Sequence, residues 1–202
     1  MLIDVSVEVS EGMVFRPGSP PVRLDRVKCF GEEEGEYWTT VLSTPTHIGT
    51  HIDVVYPERK IELQRLMGVG RLVDVSAIKE GMVALKDVEE EIKIGSGEFA
   101  FFMTGWSKYL GTRRYFEHPE LSMEVLEWLA SKRVNMVGID ALGLGRLKNH
   151  SSYDKFLADK NVYIIENLTN LSSINRQPFR VYCFPLKIQG SDALPCRVMV
   201  ET

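Results

Sequence analysis

Between residues 46 and 53 the chain reads Thr-His-Ile-Gly-Thr-His-Ile-Asp, which gathers two of its four histidines and a carboxylate into one short stretch. Imidazole nitrogens with a carboxylate oxygen are a common donor set for a divalent transition metal, so His47, His51 and Asp53 are candidate metal ligands. Gly49 lets the backbone fold tightly enough to bring both rings to one point. Asp53 follows His51 by two residues, so on an extended strand both side chains face the same way. The competing reading is two loop histidines bonded to backbone carbonyls, with Asp53 as a turn or cap residue. Three donors from one short segment need company from elsewhere. Glu166, closing the apolar run "VYIIENL", is the best candidate, because a carboxylate is costly to bury unless it is paired or bound to a cation. Its alternative is a capping or surface glutamate at a strand end. Asp154 and His150 are further candidates, and so is Asp140 at the end of "VNMVGID", although an aspartate there is more often a turn residue.

The elements that must position these residues follow from hydrophobic periodicity. "MLIDVSVEV" alternates as a half-buried strand, and "GMVFRPGSPPV" follows as a loop broken by Pro17-Gly18 and Pro20-Pro21. "RLDRVKCF" and "EYWTTVLS" flank the polar turn "GEEEGE" as a hairpin that leads into the histidine segment. "RLVDVSAI" is a strand, "ALKDVEEEI" a short amphipathic helix starting near Val83, and "EFAFFMTGW" a strand apolar enough to be buried on both faces. "SMEVLEWLASKR" is the clearest helix, with Ser122 as N-cap and Glu124 in its first turn. "VNMVGID" is a short buried strand, "SYDKFLADK" a helix, and "VYIIENL", "RVYCFPLKI" and "PCRVMVE" are strands. With no regular βαβ rhythm, no repeat and no linker, the expectation is one mixed α/β domain.

Bulk properties narrow the partners. A net charge of −4 and a pI near 5.7 argue against nucleic acid and anionic membranes and for a small-molecule substrate. Cys29, Cys183 and Cys196 are odd in number and too widely spaced for a zinc knuckle, and read as small buried hydrophobes in a reducing cytosol. No apolar run reaches the roughly 18 residues of a membrane span, and the first ten residues read as a strand, so a cytoplasmic protein is expected.

These segments together resemble the cyclase-like metal-dependent hydrolases, the family that includes bacterial kynurenine formamidase. The family hallmark is His-x-Gly-Thr-His-x-Asp-x-Pro-x-His, and "HIGTHID" matches its first seven positions. "GMVFRPGSP" is similar to the family's Pro-Gly loop and "FFMTGW" to its Thr-Gly-Trp strand. "LSMEVLEWLASKRVNMVGIDALGLG", "YIIENLTNL" and "PLKIQGSDALPCRVMV" follow in the expected order, so the resemblance spans nearly the whole chain. It implies a single domain over residues 1–202 with the swivelling β/β/α fold, a mixed sheet with a few helices, assembled as a homodimer or homotetramer. It also implies a divalent metal, zinc or manganese, on His47, His51, Asp53 and Glu166. The implied reaction is hydrolysis of a small amide, formamide or cyclic amide, with metal-bound water as the nucleophile.

Two positions depart from that pattern. The last motif histidine, often the family's acid/base, is Pro57 here, which has no proton to transfer. The second-site histidine expected twelve residues before Glu166 is Asp154, a harder oxygen donor suited to manganese or magnesium, or to one metal instead of two. Glu58 and His150 are therefore the candidates for proton transfer, with Tyr56 as a candidate substrate contact beside the site. Surface loop residues, or a capping role for His150, are the plainer readings. His118 reads as structural or exposed. From "WSKYLGTRRYF", Trp106 and Arg113, with Arg114 and Tyr115, are candidate substrate contacts, against a core tryptophan and a solvated basic loop. A family member that binds a metal or ligand without turnover is the alternative to an enzyme.

Overall fold

The computed structural model describes every residue except Glu34, Glu90 and Glu91. Twelve strands run in chain order: β1 (Leu2–Asp4), β2 (Arg23–Gly31), β3 (Gly35–Ser43), β4 (His51–Asp53), β5 (Met67–Asp74) and β6 (Met82–Val83), then β7 (Phe99–Met103), β8 (Glu120–Leu121), β9 (Met136–Ile139), β10 (Tyr163–Glu166), β11 (Phe179–Pro185) and β12 (Ala193–Glu201). Two α-helices, α1 (Met123–Ser131) and α2 (Lys148–Asp159), complete the regular structure, beside short 3-10 turns. The main sheet has the order β1-β12-β11-β5-β7-β9-β10-β4, and a further β12–β4 pairing closes seven of its strands into a ring, with β1 on the edge of β12. β5, β7, β9 and β10 are mutually parallel, and the remaining pairings of this sheet are antiparallel. This is the mixed, few-helix α/β fold expected from the sequence.

β7 shows how the strand pattern builds two cores. Phe99 and Phe101 point into the ring, among Ile52, Met136, Ile165, Val181 and Val198. Ala100 and Phe102 point outward, against the buried faces of the helices at Leu126, Leu129 and Leu157. All four side chains are fully buried, and each phenylalanine contributes about 1.5–3 kcal/mol by leaving water. Without both layers the parallel strands would expose one apolar face.

Three sequence expectations change. The helix expected from Val83 is only a 3-10 turn at Leu85–Asp87, and the "EE" at 90–91 lies outside the described residues, as does Glu34 of the hairpin turn. Asp87 accepts a hydrogen bond from the Ala84 backbone at 2.8 Å, which closes the turn locally rather than propagating a helix. α1 starts as expected, but Ser122 occupies its N-cap position without a side-chain cap bond, and its hydroxyl is buried without a partner. α2 begins at Lys148, four residues before the expected "SYDKFLADK", so His150 is helical.

Among the described residues no helix is long and apolar enough to cross a membrane. His118, expected to be structural or exposed, is structural. It is 1% exposed and its Nδ1 lies 3.0 Å from the Pro119 carbonyl, to which it donates. Burial pushes its pKa down to about 4 from 6.5. A histidine held neutral in this way costs stability as pH falls from its unfolded pKa towards its folded one, because only the unfolded chain takes up the proton. Between pH 7.5 and 5, cation-free protein should lose about 2 kcal/mol through this group. Urea unfolding of wild type and His118→Gln at both pH values checks it. Equal pH dependence in the two proteins would show that His118 titrates normally.

Candidate metal centre

β4 is three residues long, yet it carries the site. Its Ile52 faces the ring interior, while His51 and Asp53 face the other way, as the two-residue period of a strand requires. β10 lies antiparallel to it with Glu166 directly opposite His51, so the carboxylate that closes the apolar strand meets the second histidine of the motif. The loop before β4 turns at Gly49, whose φ of +54° is the left-handed conformation that glycine adopts without strain. That turn returns His47 to its partners.

The donor atoms converge. His47 Nδ1 and His51 Nε2 are 3.2 Å apart, and they lie 3.1 and 3.3 Å from Asp53 Oδ1. His51 Nε2 is also 3.5 Å from Glu166 Oε2. The backbone and side chains around the rings fix their tautomers: His51 Nδ1 donates to the Gly49 carbonyl at 3.0 Å, and His47 Nε2 faces the Asp192 carboxylate at 3.4 Å. His47 Nδ1 and His51 Nε2 therefore both face the same point as Asp53. Such a triangle has about 1.9 Å from its centre to each corner, a spacing compatible with the usual ~2.0–2.2 Å metal–donor distances.

A second group shares Asp53. From α2, His150 and Asp154 stand one turn apart on the same buried face. His150 Nε2 lies 3.6 Å from Asp154 and 3.9 Å from Glu166 Oε1. Asp53, His150 and Glu166 each offer an atom within 4.8 Å of the others, as His47, His51 and Asp53 do. Asp53 Oδ1, Asp154 Oδ1 and Glu166 Oε1 are buried without a directed hydrogen bond. Three such carboxylate oxygens in one cluster cost several kcal/mol unless positive charge meets them.

The acidities record the same shortage of positive charge. Burial, then the charges of Asp53 and Asp154, raise Glu166 well above the carboxylate range. Asp154 is pushed up to about 8 by burial and by Asp53. Asp53 itself stays well below its usual value: burial opposes its ionisation, but His47 and His51 overcome that. His47 is raised, since Asp53 and Asp192 outweigh the burial that disfavours its charge. His150 is lowered by burial.

Of the residues singled out from sequence, the structure gathers His47, His51, Asp53, His150, Asp154 and Glu166. It does not gather the rest. Tyr56 donates to Asp159 and receives a bond from Lys155 at the far end of α2. Glu58 is exposed and makes no ion pair with the cluster. Trp106 is 3% exposed, its indole donating to the Arg114 carbonyl at 3.0 Å, so it is a core residue, and Arg113 is exposed to solvent. Asp140 is a connector, accepting from Thr104 and Gly105 at 2.6–2.8 Å.

Tyr115, expected as a substrate contact, is instead buried support, and sequence reasoning missed the rest of the support around the site. Asn167 Nδ2 donates at 2.8 Å to the same Gly49 carbonyl that receives His51, and Tyr115 donates at 2.6 Å to Asn167 Oδ1. Asn167 has a φ of +56°, which asparagine tolerates better than most residues, and its place beside Glu166 was the available signal. Asp192, which also accepts from Thr46 at 2.8 Å, orients His47 as an outer carboxylate orients a ligating imidazole. Gly143, with φ +97°, leaves the room that His150 and Glu166 occupy.

The chain is similar to known proteins over most of its length. The sequence profile of the family described as "Putative cyclase" matches residues 3–146. An uncharacterized protein of Methanocaldococcus jannaschii is 32% identical over 186 residues, covering 90% of this chain and 89% of its own. A kynurenine formamidase of Salinibacter ruber is 26% identical over 212 residues, covering 99% and 97%. Among solved structures, a potential metal-dependent hydrolase with cyclase activity superimposes with a TM-score of 0.82 at 27% identity, over 99% of this chain and 98% of that one.

Proposed function

Since the chain belongs to the cyclase family, we propose that it is a metal-dependent hydrolase that opens the C–N bond of a small amide, formamide or cyclic amide. The observation that carries this reading is the convergence of His47, His51 and Asp53 beside buried carboxylate oxygens that nothing else satisfies. His47, His51 and Asp53 would hold one divalent cation, zinc or manganese, and Asp53, His150 and Glu166, with Asp154, would hold a second. A cation there would polarise the substrate carbonyl and acidify water. In the reaction, water adds to the carbonyl and the C–N bond breaks, which gives a carboxylate and a free amine from an amide or formamide and a single ring-opened amino carboxylate from a cyclic amide.

The chain's own groups do the rest. Asp192 and the Gly49 carbonyl keep the two imidazoles in the tautomers that face Asp53. Asn167 and Tyr115 brace that carbonyl from the dry side of the site. With Pro57 in place of a histidine and Glu58 and Tyr56 outside the cluster, His150 Nε2 is the neutral nitrogen left to take a proton from the attacking water and hand it to the departing amine, unless a second cation occupies it. Proton transfer of this kind is worth about 10²–10⁴ in rate.

Pro57 also supports a second reading, in which the protein binds a cation and ligand without turnover. Metal analysis of untagged protein dialysed against zinc, manganese and magnesium, followed by assays of amine release from a formamide and of ring opening of a cyclic amide, separates the two. At least one cation per chain with cation-dependent amine release is expected. A bound cation without turnover selects the second reading, and protein that takes up no cation overturns both. Assembly as a homodimer or homotetramer belongs to the same proposal.

A further inference from the structure

The loop of residues 10–22 lies against the segment that delivers His47, and it carries a cation without a partner. Phe15 is buried with Val22 and Ile48, the residue between His47 and Gly49. Gly12 N donates to the Val22 carbonyl and Val22 N to the Met13 carbonyl, both at 2.9 Å, so the loop is closed on itself. Upstream, Val7 N donates at 2.9 Å to Thr50 Oγ1, which ties the same stretch to the residue before His51. Arg16 follows Phe15 directly. The next residue is Pro17, which favours an extended backbone at Arg16. Ser19 N then donates to the Arg16 carbonyl at 3.0 Å, closing a turn with Gly18 at φ +84°. A buried phenylalanine before it and a proline–glycine turn after it hold the backbone of Arg16 in place.

The Arg16 side chain is exposed, and among the described residues it meets no carboxylate, whereas Lys28, Arg71, Arg146, Lys155 and Arg197 each pair with one. Its charge is nevertheless felt inside the site. It favours the ionised forms of Asp154 and Glu166 and disfavours a protonated His150. Charges separated through solvent by more than about 8–10 Å are largely screened, so the guanidinium stands over the site on the side of the second donor group.

With both cations proposed above in place, Asp53, Asp154 and Glu166 are more than neutralised. No carboxylate of the site is then left to answer Arg16, and an anion brought by the ligand does so. We propose that Arg16 binds a carboxylate carried by the substrate away from the amide that is cleaved, so that the substrate class is an amide bearing a separate acid group. This rests on the hydrolytic reading and deepens it. A guanidinium grips a carboxylate through two parallel N–H donors, which fixes the orientation of the ligand as well as its charge. A chain of net charge −4 repels an anion in general, so a cation over the site is where an acidic substrate is drawn in.

Calorimetry on protein dialysed against zinc and manganese tests this with ligands that have no amide carbonyl to cleave. The probes are the N-methylsulfonyl derivatives of glycine, β-alanine and 4-aminobutyrate, each beside its methyl ester. At least one acid is expected to bind about tenfold more tightly than its ester, the usual worth of a hydrogen bond to a charged group. Arg16→Leu should bring that acid and its ester to equal affinity, and Arg16→Lys should keep part of the preference, as a point charge without the fork. Acids and esters that bind alike in the wild type overturn the proposal. So does a preference that survives in Arg16→Leu, which would place the carboxylate on the cations instead. Affinity is read without turnover, so a protein that prefers the acid through Arg16 yet cleaves no amide sinks the hydrolytic reading alone. One that hydrolyses N-formyl acids and their esters with equal kcat/KM sinks only the role of Arg16.

Discussion

His51→Ala is expected to abolish cation binding at the His47–His51–Asp53 group and, with it, amide hydrolysis. His51 is fully buried, it touches Asp53 and Glu166, and its other nitrogen is already held by Gly49. No other side chain can bring a nitrogen to the point it supplies. Changing a group that merely orients a ligand typically costs 10–100-fold in metal affinity, so removing this ligand should cost more than that. The variant also loses the imidazole beside Asp53, and leaving a buried polar group without its partner costs about 1–3 kcal/mol. His47→Ala covers the case in which His51→Ala does not fold, because His47 has a third of its side chain in solvent and removing it disturbs the interior less. Both variants should come through metal dialysis without the cation of the His47–His51–Asp53 group, and so hold at least one cation per chain fewer than wild type. A His47→Ala protein that folds and keeps full cation content with wild-type affinity would remove the motif from the site.

The same residue shows what sequence makes legible. His51, Ile52 and Asp53 obey a two-residue period, and a carboxylate ending an apolar strand needs a partner, so β4 and Glu166 are legible in the residue pattern alone. What failed was proximity along the chain. Tyr56 and Glu58 follow Asp53 closely, but β4 ends at Asp53 and the chain then runs outward, where Tyr56 is captured by Asp159 and Lys155. Trp106 and Arg113 share a basic segment, yet the indole needs burial and one acceptor, which the Arg114 carbonyl provides. His150 was hard to place because "KNHSS" has weak helix propensity. Tertiary packing of Tyr153, Asp154 and Leu157 extends α2 backwards through it. Asp192 lies 145 residues after His47, and only closure of the ring through β12 and β4 brings it near.

Gly143→Ala is the sharper test of the second donor group, because it adds one carbon and removes no polar atom. A Cβ at this position would stand 2.4 Å from His150 Nδ1, 2.7 Å from His150 Cε1 and 2.8 Å from Glu166 Oε1. Those distances are too short for any real contact, so the imidazole and the carboxylate must both move. The backbone φ of +97° adds strain that an alanine bears poorly, about 1–3 kcal/mol. The expected protein is less stable by about 2–4 kcal/mol. It lacks the cation held by Asp53, His150 and Glu166 and keeps the one held by His47, His51 and Asp53. The companion Gly143→Ala/His150→Ala separates clash from ligation. Deleting the ring removes the two closest contacts, so urea unfolding should recover part of the lost stability, while cation content stays at the lower value. If Gly143→Ala instead binds as many cations as wild type with equal affinity, His150 and Glu166 do not share a cation. The proton-transfer role for His150 would then stand alone.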